Sequence, residues 1–305
     1  MEELSGEGHV EAKVADDELA NFTNDSAMMI AYERALETAK GPEVALFQDP
    51  FAKLLQGPKG EHLSNDFGSN AAAAFEFEGW PDFHKTWTAV RTRFIDDKVE
   101  EHVDKDGFKV KQVVNLGAGL DTRPYRLKCY KNFQKCFDVD VEKINDMKKK
   151  VFKLLRENDK TFHALCSEVV DVSLDLLDNE KNLSTELTKV GFLKDKPTIF
   201  IAEGLIMYLG AGKERFLGEV SNAAAPGSIL ILNFMEGKNE EAIRIMDPTY
   251  MSQNSLIESL SNKGWDKEHL KVNKFGDDVL NYGRYPNNKF PILSSFSFLV
   301  CRKLR

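Results

Sequence analysis

The sequence predicts an α/β protein built on a doubly wound, mostly parallel sheet with helices on both faces. Three observations carry that prediction. From Lys111 onward, short apolar runs rich in Val, Ile and Phe alternate with longer stretches of helical periodicity, the pattern of strand–helix–strand units. The first run, "KQVVNLG", passes directly into Gly117-Ala118-Gly119, a tight turn from strand to helix. Further runs close on acids, Asp140 in "FDVD", Asp171 in "EVVD" and Glu203 in "IFIAE", placing carboxylates at the strand ends where such sheets bind ligands.

Residues 1–20 are acidic and aromatic-free and read as a mobile arm. The remainder, 21–305, reads as one domain, with a helical cover over 21–108 and a Rossmann-like core over 109–305. In the cover, "NDSAMMIAYERALETAK" predicts a helix capped by Asn24, Asp25 or Ser26 and stopped at Gly41-Pro42. Asp49-Pro50 predicts a turn into a short helix, "FAKLLQG". The stretch 57–81 has the weakest pattern and reads as a lid or a partly helical cover. "FHKTWTAVRTRFIDDKVEEHV" predicts a long helix with Trp87, Val90, Phe94 and Val99 on its apolar side.

In the core, strand "KQVVNLG" leads to a helix after Asp121, and strand "KCFDVD" to helix "VEKINDMKKKVFKLLREN". "FHALCSEVVD" precedes a helical stretch through Leu187, and "PTIFIAEG" precedes a helix near 212–225. "SILILNF" precedes helix "NSLIESLSNKGW". "LKVNKF" and "SFSFLVCRKL" are strand-like with no clear helix between them, so the last strand is expected to be antiparallel.

A net charge of -8 argues against nucleic acid as the principal partner, because phosphate binding wants a basic face. No apolar run approaches the roughly 20 residues that span a bilayer. Cys129, Cys136, Cys166 and Cys301 show neither a CxxC pair nor zinc spacing and read as reduced thiols of a cytoplasmic protein. Nothing resembles a metal cluster.

Gly117-Ala118-Gly119 has three readings. It is a packing turn, a dinucleotide site, or a site for a nucleoside-type ligand without phosphates. A dinucleotide fingerprint wants a third glycine where this chain has Thr122, and Asp121 puts negative charge where a pyrophosphate would lie. S-adenosylmethionine, positively charged and phosphate-free, fits an acidic loop. Asp140 lies 21 residues after Gly119, near the roughly 20 expected of a ribose-binding acid. Its other reading is an N-cap for the following helix. Asp171 is placed to accept from an adenine amino group, and Glu203, inside an apolar run, is expected to be partly buried and hydrogen-bonded.

These residues carry a resemblance. "VVNLGAGLDTRPYRL", "FDVD" and "IFIAEGLIMYL", preceded by "LFQDPFAKLL" and "AVRTRFIDD" and followed by "YGRYP", are similar to the leucine carboxyl methyltransferase-type family, and more to its small-molecule O-methyltransferase-like branch. The resemblance implies a class I methyltransferase fold with S-adenosyl-L-methionine as cofactor. It implies that Arg91 grips the methionine carboxylate, that Gly117, with Ala118, Gly119 and Asp121 in the same turn, lies under the ligand, and that Asp140, followed by Val141, takes the ribose. Asp171 and Val172 correspond to the adenine edge, Glu203 to the cofactor's tail, and Tyr208 to a tyrosine that faces the methyl or stays in the core. His84, beside Trp80 and Trp87, is the candidate base if the acceptor is a hydroxyl, its other reading being a surface histidine. Arg284 is a candidate anion clamp for substrate, or the partner of a structural acid. The expected acceptor is a small-molecule carboxylate or hydroxyl, with a protein C-terminal carboxylate second. A nicotinamide-dependent oxidoreductase and a non-catalytic S-adenosylmethionine binder are the readings from other classes.

Overall fold

The computed structural model describes residues 25–103, 111–235, 247, 249–267, 270–274, 282–284 and 296–304. The acidic arm expected over 1–20 lies outside the described residues. Helix α1 runs through 25–38 and gives way at Gly41, whose φ of +82° is the left-handed conformation that commonly ends a helix. One-turn helix α2 (Ala52–Leu55) is started by Asp49, whose Oδ1 accepts from the Phe51 and Ala52 amides at 3.2 Å. Helices α3 (Gly60–Ala74) and α4 (Trp80–Val103) pack on each other, so most of the weakly patterned stretch 57–81 is regular helix. Helix α4 begins at Trp80, ahead of the segment whose periodicity marks it, because Pro81 is tolerated in a first turn.

The sheet has seven strands in the order β3-β2-β1-β4-β5-β7-β6. They are β1 (Gln112–Leu116), β2 (Lys135–Asp140), β3 (Glu168–Ser173), β4 (Thr198–Ala202), β5 (Ile229–Met235), β6 (Lys271–Lys274) and β7 (Phe296–Arg302). Strands β1 to β5 are parallel, while β7 runs antiparallel between β5 and β6. The order reverses between β1 and β4, which opens a crevice at their carboxyl ends. Between the strands lie α5 (Arg123–Arg126), α6 (Glu142–Asn158), α7 (Leu183–Lys189), α8 (Lys213–Ala223) and α9 (Gln253–Asn262). The helix expected after Asp121 is a single α turn followed by a 3-10 turn at Lys128–Asn132. Strand β3 runs two residues beyond Asp171, and Ser173 is the residue level with Asp140.

Alternation along the strands divides the core. Val113, Ile199 and Ile201 pack with Trp87 and Phe94 of α4 and Phe298 of β7. Val114, Leu116 and Phe200 turn to the other face, against Phe216 and Leu217 of α8 and Leu256 of α9. No helix among the described residues is long and apolar enough to cross a membrane.

One charge pair sits inside this core. Asp138, in the middle of β2, accepts from Lys148 Nζ of α6 at 2.6 Å, both side chains almost fully buried. Burial pushes the Asp138 carboxyl up to about 6, against the pull of Lys148. Removing one partner of a buried pair typically costs about 3–5 kcal/mol, because the other charge is stranded. Lys148→Met is therefore expected to lower the free energy of urea unfolding by about that amount. Adding Asp138→Asn should recover most of the loss, since no bare carboxylate is then left inside.

Candidate active site

The crevice at the switch point holds a cavity lined by the turn after β1, the end of β2, the segment after β4, and residues of α1 and α4. Gly117, Ala118, Gly119, Asp121, Asp140, Val141 and Glu203 all lie in its wall, as do Arg91, His84 and Tyr208. Gly117 has a φ of +62°, and a Cβ there would come within 2.9 Å of Leu205 Cδ1. No other residue type fits that turn without moving the opposite wall. Asp140 closes β2 and braces the turn: Oδ2 accepts from the Gly119 amide at 2.7 Å and Oδ1 from the Val141 amide at 2.8 Å. Burial raises the Asp140 carboxyl above its ordinary pKa, and the two amides oppose that rise. Each oxygen keeps a further lone pair for a ligand in the cavity.

Arg91 comes from the fourth turn of α4. Its Nε donates to Glu203 Oε1 at 2.8 Å, and its guanidinium carbon lies 5.8 Å from the Trp87 ring centre. Nη1 and Nη2 make no hydrogen bond among the described residues, leaving the outer edge of the guanidinium in the cavity wall. A Cβ at Gly204 would reach 3.2 Å from Nη1, so this glycine leaves the space that the guanidinium fills. Glu203 is held from its other oxygen by Arg123 Nη1 at 2.8 Å. Burial would raise the Glu203 carboxyl, but Arg123 and then Arg91 outweigh it and bring its pKa below the ordinary value.

Arg123 lies beneath the cavity. Its Nε donates to Asp96 at 2.6 Å and its Nη1 to Asp121 Oδ2 at 2.9 Å. Asp121 also accepts from the Asn115 side chain at 2.6 Å and from the Arg123 amide at 2.8 Å. Burial alone would push the Asp121 carboxyl up, but Arg123 and Lys148 outweigh it and hold the group far below the ordinary carboxylate range. This corrects the sequence argument in one respect. The charge of Asp121 is already matched by Arg123 and is not a free negative charge aimed at a ligand.

At the other end of the cavity, His84 of α4 is buried and turns Nδ1 to Glu33 of α1, at 2.9 and 3.0 Å from its two oxygens. Ser64 and Thr88 donate to the same carboxylate at 3.0 and 2.6 Å. Burial would raise Glu33, but His84 and the two hydroxyls outweigh it and lower its pKa, so the group is an anion. His84 is thus not a surface residue. Tyr208, Trp87, Met207 and Phe296 of β7 line the same cavity.

Three sequence-predicted residues are not part of this cavity. Asp171 pairs with Lys149 at 3.5 Å and Val172 is buried in the core, both on β3. Arg284 pairs with Glu37 and donates to the Val44 carbonyl, tying the segment 282–284 to the end of α1. Conversely, Glu33, Arg34, Asn115 and Phe296 belong to the site or its support without having been singled out. For Glu33, Arg34 and Asn115 the only sequence signal is a polar residue on the apolar side of a helix or strand, visible once the partner element is known, and Phe296 is one apolar residue of an apolar strand.

The family model described as Leucine carboxyl methyltransferase matches residues 27–217. A protein of Mycolicibacterium smegmatis with the provisional name S-adenosyl-L-methionine-dependent methyltransferase is 30% identical over 296 residues, covering 91% of this chain and 94% of its own. One of Mycolicibacterium gilvum, with the same provisional name, is 30% identical over 226 residues, covering 72% and 70%. Among solved structures, one provisionally named a methyltransferase, from Thermobifida fusca, aligns with TM-score 0.53 at 14% identity, covering 90% of this chain and 94% of that one. A structure from Streptomyces avermitilis aligns at 0.52 with 13% identity, covering 91% and 97%. The fold is that of the class I methyltransferases, and the chain belongs to the leucine carboxyl methyltransferase family.

Proposed function

We propose that this methyltransferase uses S-adenosylmethionine to methylate an oxygen of a small-molecule acceptor, a carboxylate or a hydroxyl. The observation that carries the reading is a cavity that presents two separate handles, the outer guanidinium edge of Arg91 and the Asp140 carboxylate at the glycine turn. Arg91 suits the methionine carboxylate, since a planar guanidinium forks onto two oxygens. Asp140 suits the ribose hydroxyls, and the glycines let the backbone come close to the ligand.

The cofactor supplies a methyl group on a positively charged sulfur. The residues around it have to bind, align and exclude water, and alignment alone can contribute roughly 7–11 kcal/mol. Charge supports the choice of ligand. Asp121 and Glu203 are matched by Arg123 and Arg91. That leaves Asp140, held by two backbone amides, as the carboxylate of the wall without a paired cation among the described residues, a charge that suits a cation better than a pyrophosphate. Side chains of the helical cover, Ala27, Met29 and Ile30 among them, line the cavity, which favours a compact acceptor over a protein terminus. Free, buried cysteines and a net charge of -8 are in keeping with a cytoplasmic enzyme whose partner is a metabolite rather than a nucleic acid.

A thermal-shift series is expected to stabilise the protein with S-adenosylmethionine or its demethylated product and to leave it unchanged with NAD. Ligand at 100 times its dissociation constant should add about 2.7 kcal/mol. A shift with NAD alone would overturn the proposal. Arg91→Ala removes a charge-assisted contact worth about 1.5–3 kcal/mol, so cofactor affinity by calorimetry should fall at least about tenfold. Asp140→Ala should also weaken binding, because it removes both a ligand contact and the brace on the glycine turn.

A further inference from the structure

Resting on that reading, we propose that Glu33 and His84 are the proton-accepting pair of the enzyme and that its acceptor is a phenol-class hydroxyl compound. Glu33 is an acceptor-only carboxylate that already takes hydrogen bonds from Ser64 and Thr88. The Nδ1 of His84, sitting between both of its oxygens, must therefore be the nitrogen that carries the proton. That leaves Nε2 as the lone-pair nitrogen of the neutral ring. It has no hydrogen-bond partner among the described residues, and it is not sealed inside the protein.

The ring is clamped as well as oriented. Phe67 of α3 meets it edge-on at 4.9 Å between centres, and Trp80 lies roughly parallel at 6.3 Å. A histidine that merely filled the core would not need an ionised carboxylate, two hydroxyls and two aromatic rings to fix one tautomer. Around it, the charged groups are few. Helix α1 presents Glu33, with Arg34 also in the cavity wall, and among the described residues α3 contributes Ser64 and Phe67. Arg91, two turns along α4, is paired with Glu203, and Tyr208 lines the same cavity. Among the described residues Glu33 is thus the anion in direct contact with the imidazole.

The step balances as follows. The acceptor O–H bond breaks and its proton goes to His84 Nε2. The oxygen lone pair forms the new O–CH3 bond while the methyl–sulfur bond of the sulfonium donor opens, its electron pair staying on sulfur. A carboxylate acceptor is already ionised at neutral pH and brings no proton for Nε2. A phenol, with an ordinary pKa near 10, is close enough to imidazole for such a transfer, whereas an aliphatic alcohol is too weak an acid. The walls of Trp87, Phe296 and Met207 suit an aryl ring.

The test uses 4-nitrophenol, whose ionised form absorbs in the visible, with benzoate as its carboxylate counterpart. Both are titrated into the wild type, His84→Gln and Glu33→Gln, each loaded with S-adenosylhomocysteine. In the wild type, bound 4-nitrophenol should show the phenolate band below the phenol's own pKa. The band should be lost in His84→Gln and displaced to higher pH in Glu33→Gln, because the imidazolium then lacks its anion. An unchanged thermal shift with S-adenosylhomocysteine in all three proteins shows that fold and cofactor pocket stand. The same band in His84→Gln as in the wild type, preference for benzoate, or no 4-nitrophenol binding to a loaded wild type would each overturn the proposal. Failure of the wild type to take up S-adenosylhomocysteine would instead overturn the cofactor reading beneath it.

Discussion

Arg123 is the interaction on which the rest of the site depends. It is almost fully buried and reaches three acids from three different parts of the chain: Asp96 of α4, Asp121 of the glycine turn and Glu203 after β4. An isolated charge in such a place would cost several kcal/mol, so the surroundings must match it. They do so collectively. Arg34, Arg91, Arg123 and Arg126 are connected with Asp49, Asp96, Asp121 and Glu203 into a cluster of four positive and four negative side chains. Helix cover, glycine turn and sheet edge are thereby joined by charge rather than by apolar packing alone. The orientation of Arg91 is inherited through Glu203 from Arg123, which is why a residue that lines no ligand cavity governs one that does.

How much of this the sequence discloses varies with the locality of the signal. Strand β2 is readable to the residue and helix α6 to within one, because "KCFDVD" gives way to the period 3.6 of "VEKINDMKKKVFKLLREN". The glycine turn and Asp140 stand at fixed offsets from such elements, whereas Arg91 is singled out only through the family resemblance. Asp171 is different. The acid looked like the end of its strand, but pairing with β2 carries β3 on to Ser173 and leaves Asp171 level with Asp138, short of the crevice. Strand ends are set by the neighbouring strand's register, which one sequence does not contain.

Glu33 illustrates a second limit. In "AYERALETAK" it is one charged residue among several on a helix, and nothing local distinguishes it from a solvated one. Its burial follows from α3 and α4 closing over α1 from far along the chain. The two ends of the cavity therefore differ in legibility for a physical reason. The part with the glycine turn and Asp140 is built from strand-to-helix turns, where sequence and geometry are tightly linked. The part with His84 and Phe296 is built from the facing sides of helices and the start of β7, where contact is tertiary.

The position of β7 has a consequence for how the molecule assembles. This strand follows both of its sheet neighbours in the chain, yet it lies between them, hydrogen-bonded to β5 on one side and β6 on the other. Until it inserts, β5 is an open edge of mostly apolar residues, the kind of template that invites pairing with another chain. Closure of the sheet is thus a late, long-range event, of the class that slows folding. Phe296, at the start of β7, arrives in the cavity wall only with that event. The parallel half of the sheet can carry the glycine turn and Asp140 beforehand, so a folding chain should be able to form that part of the cavity wall before Phe296 completes the rest.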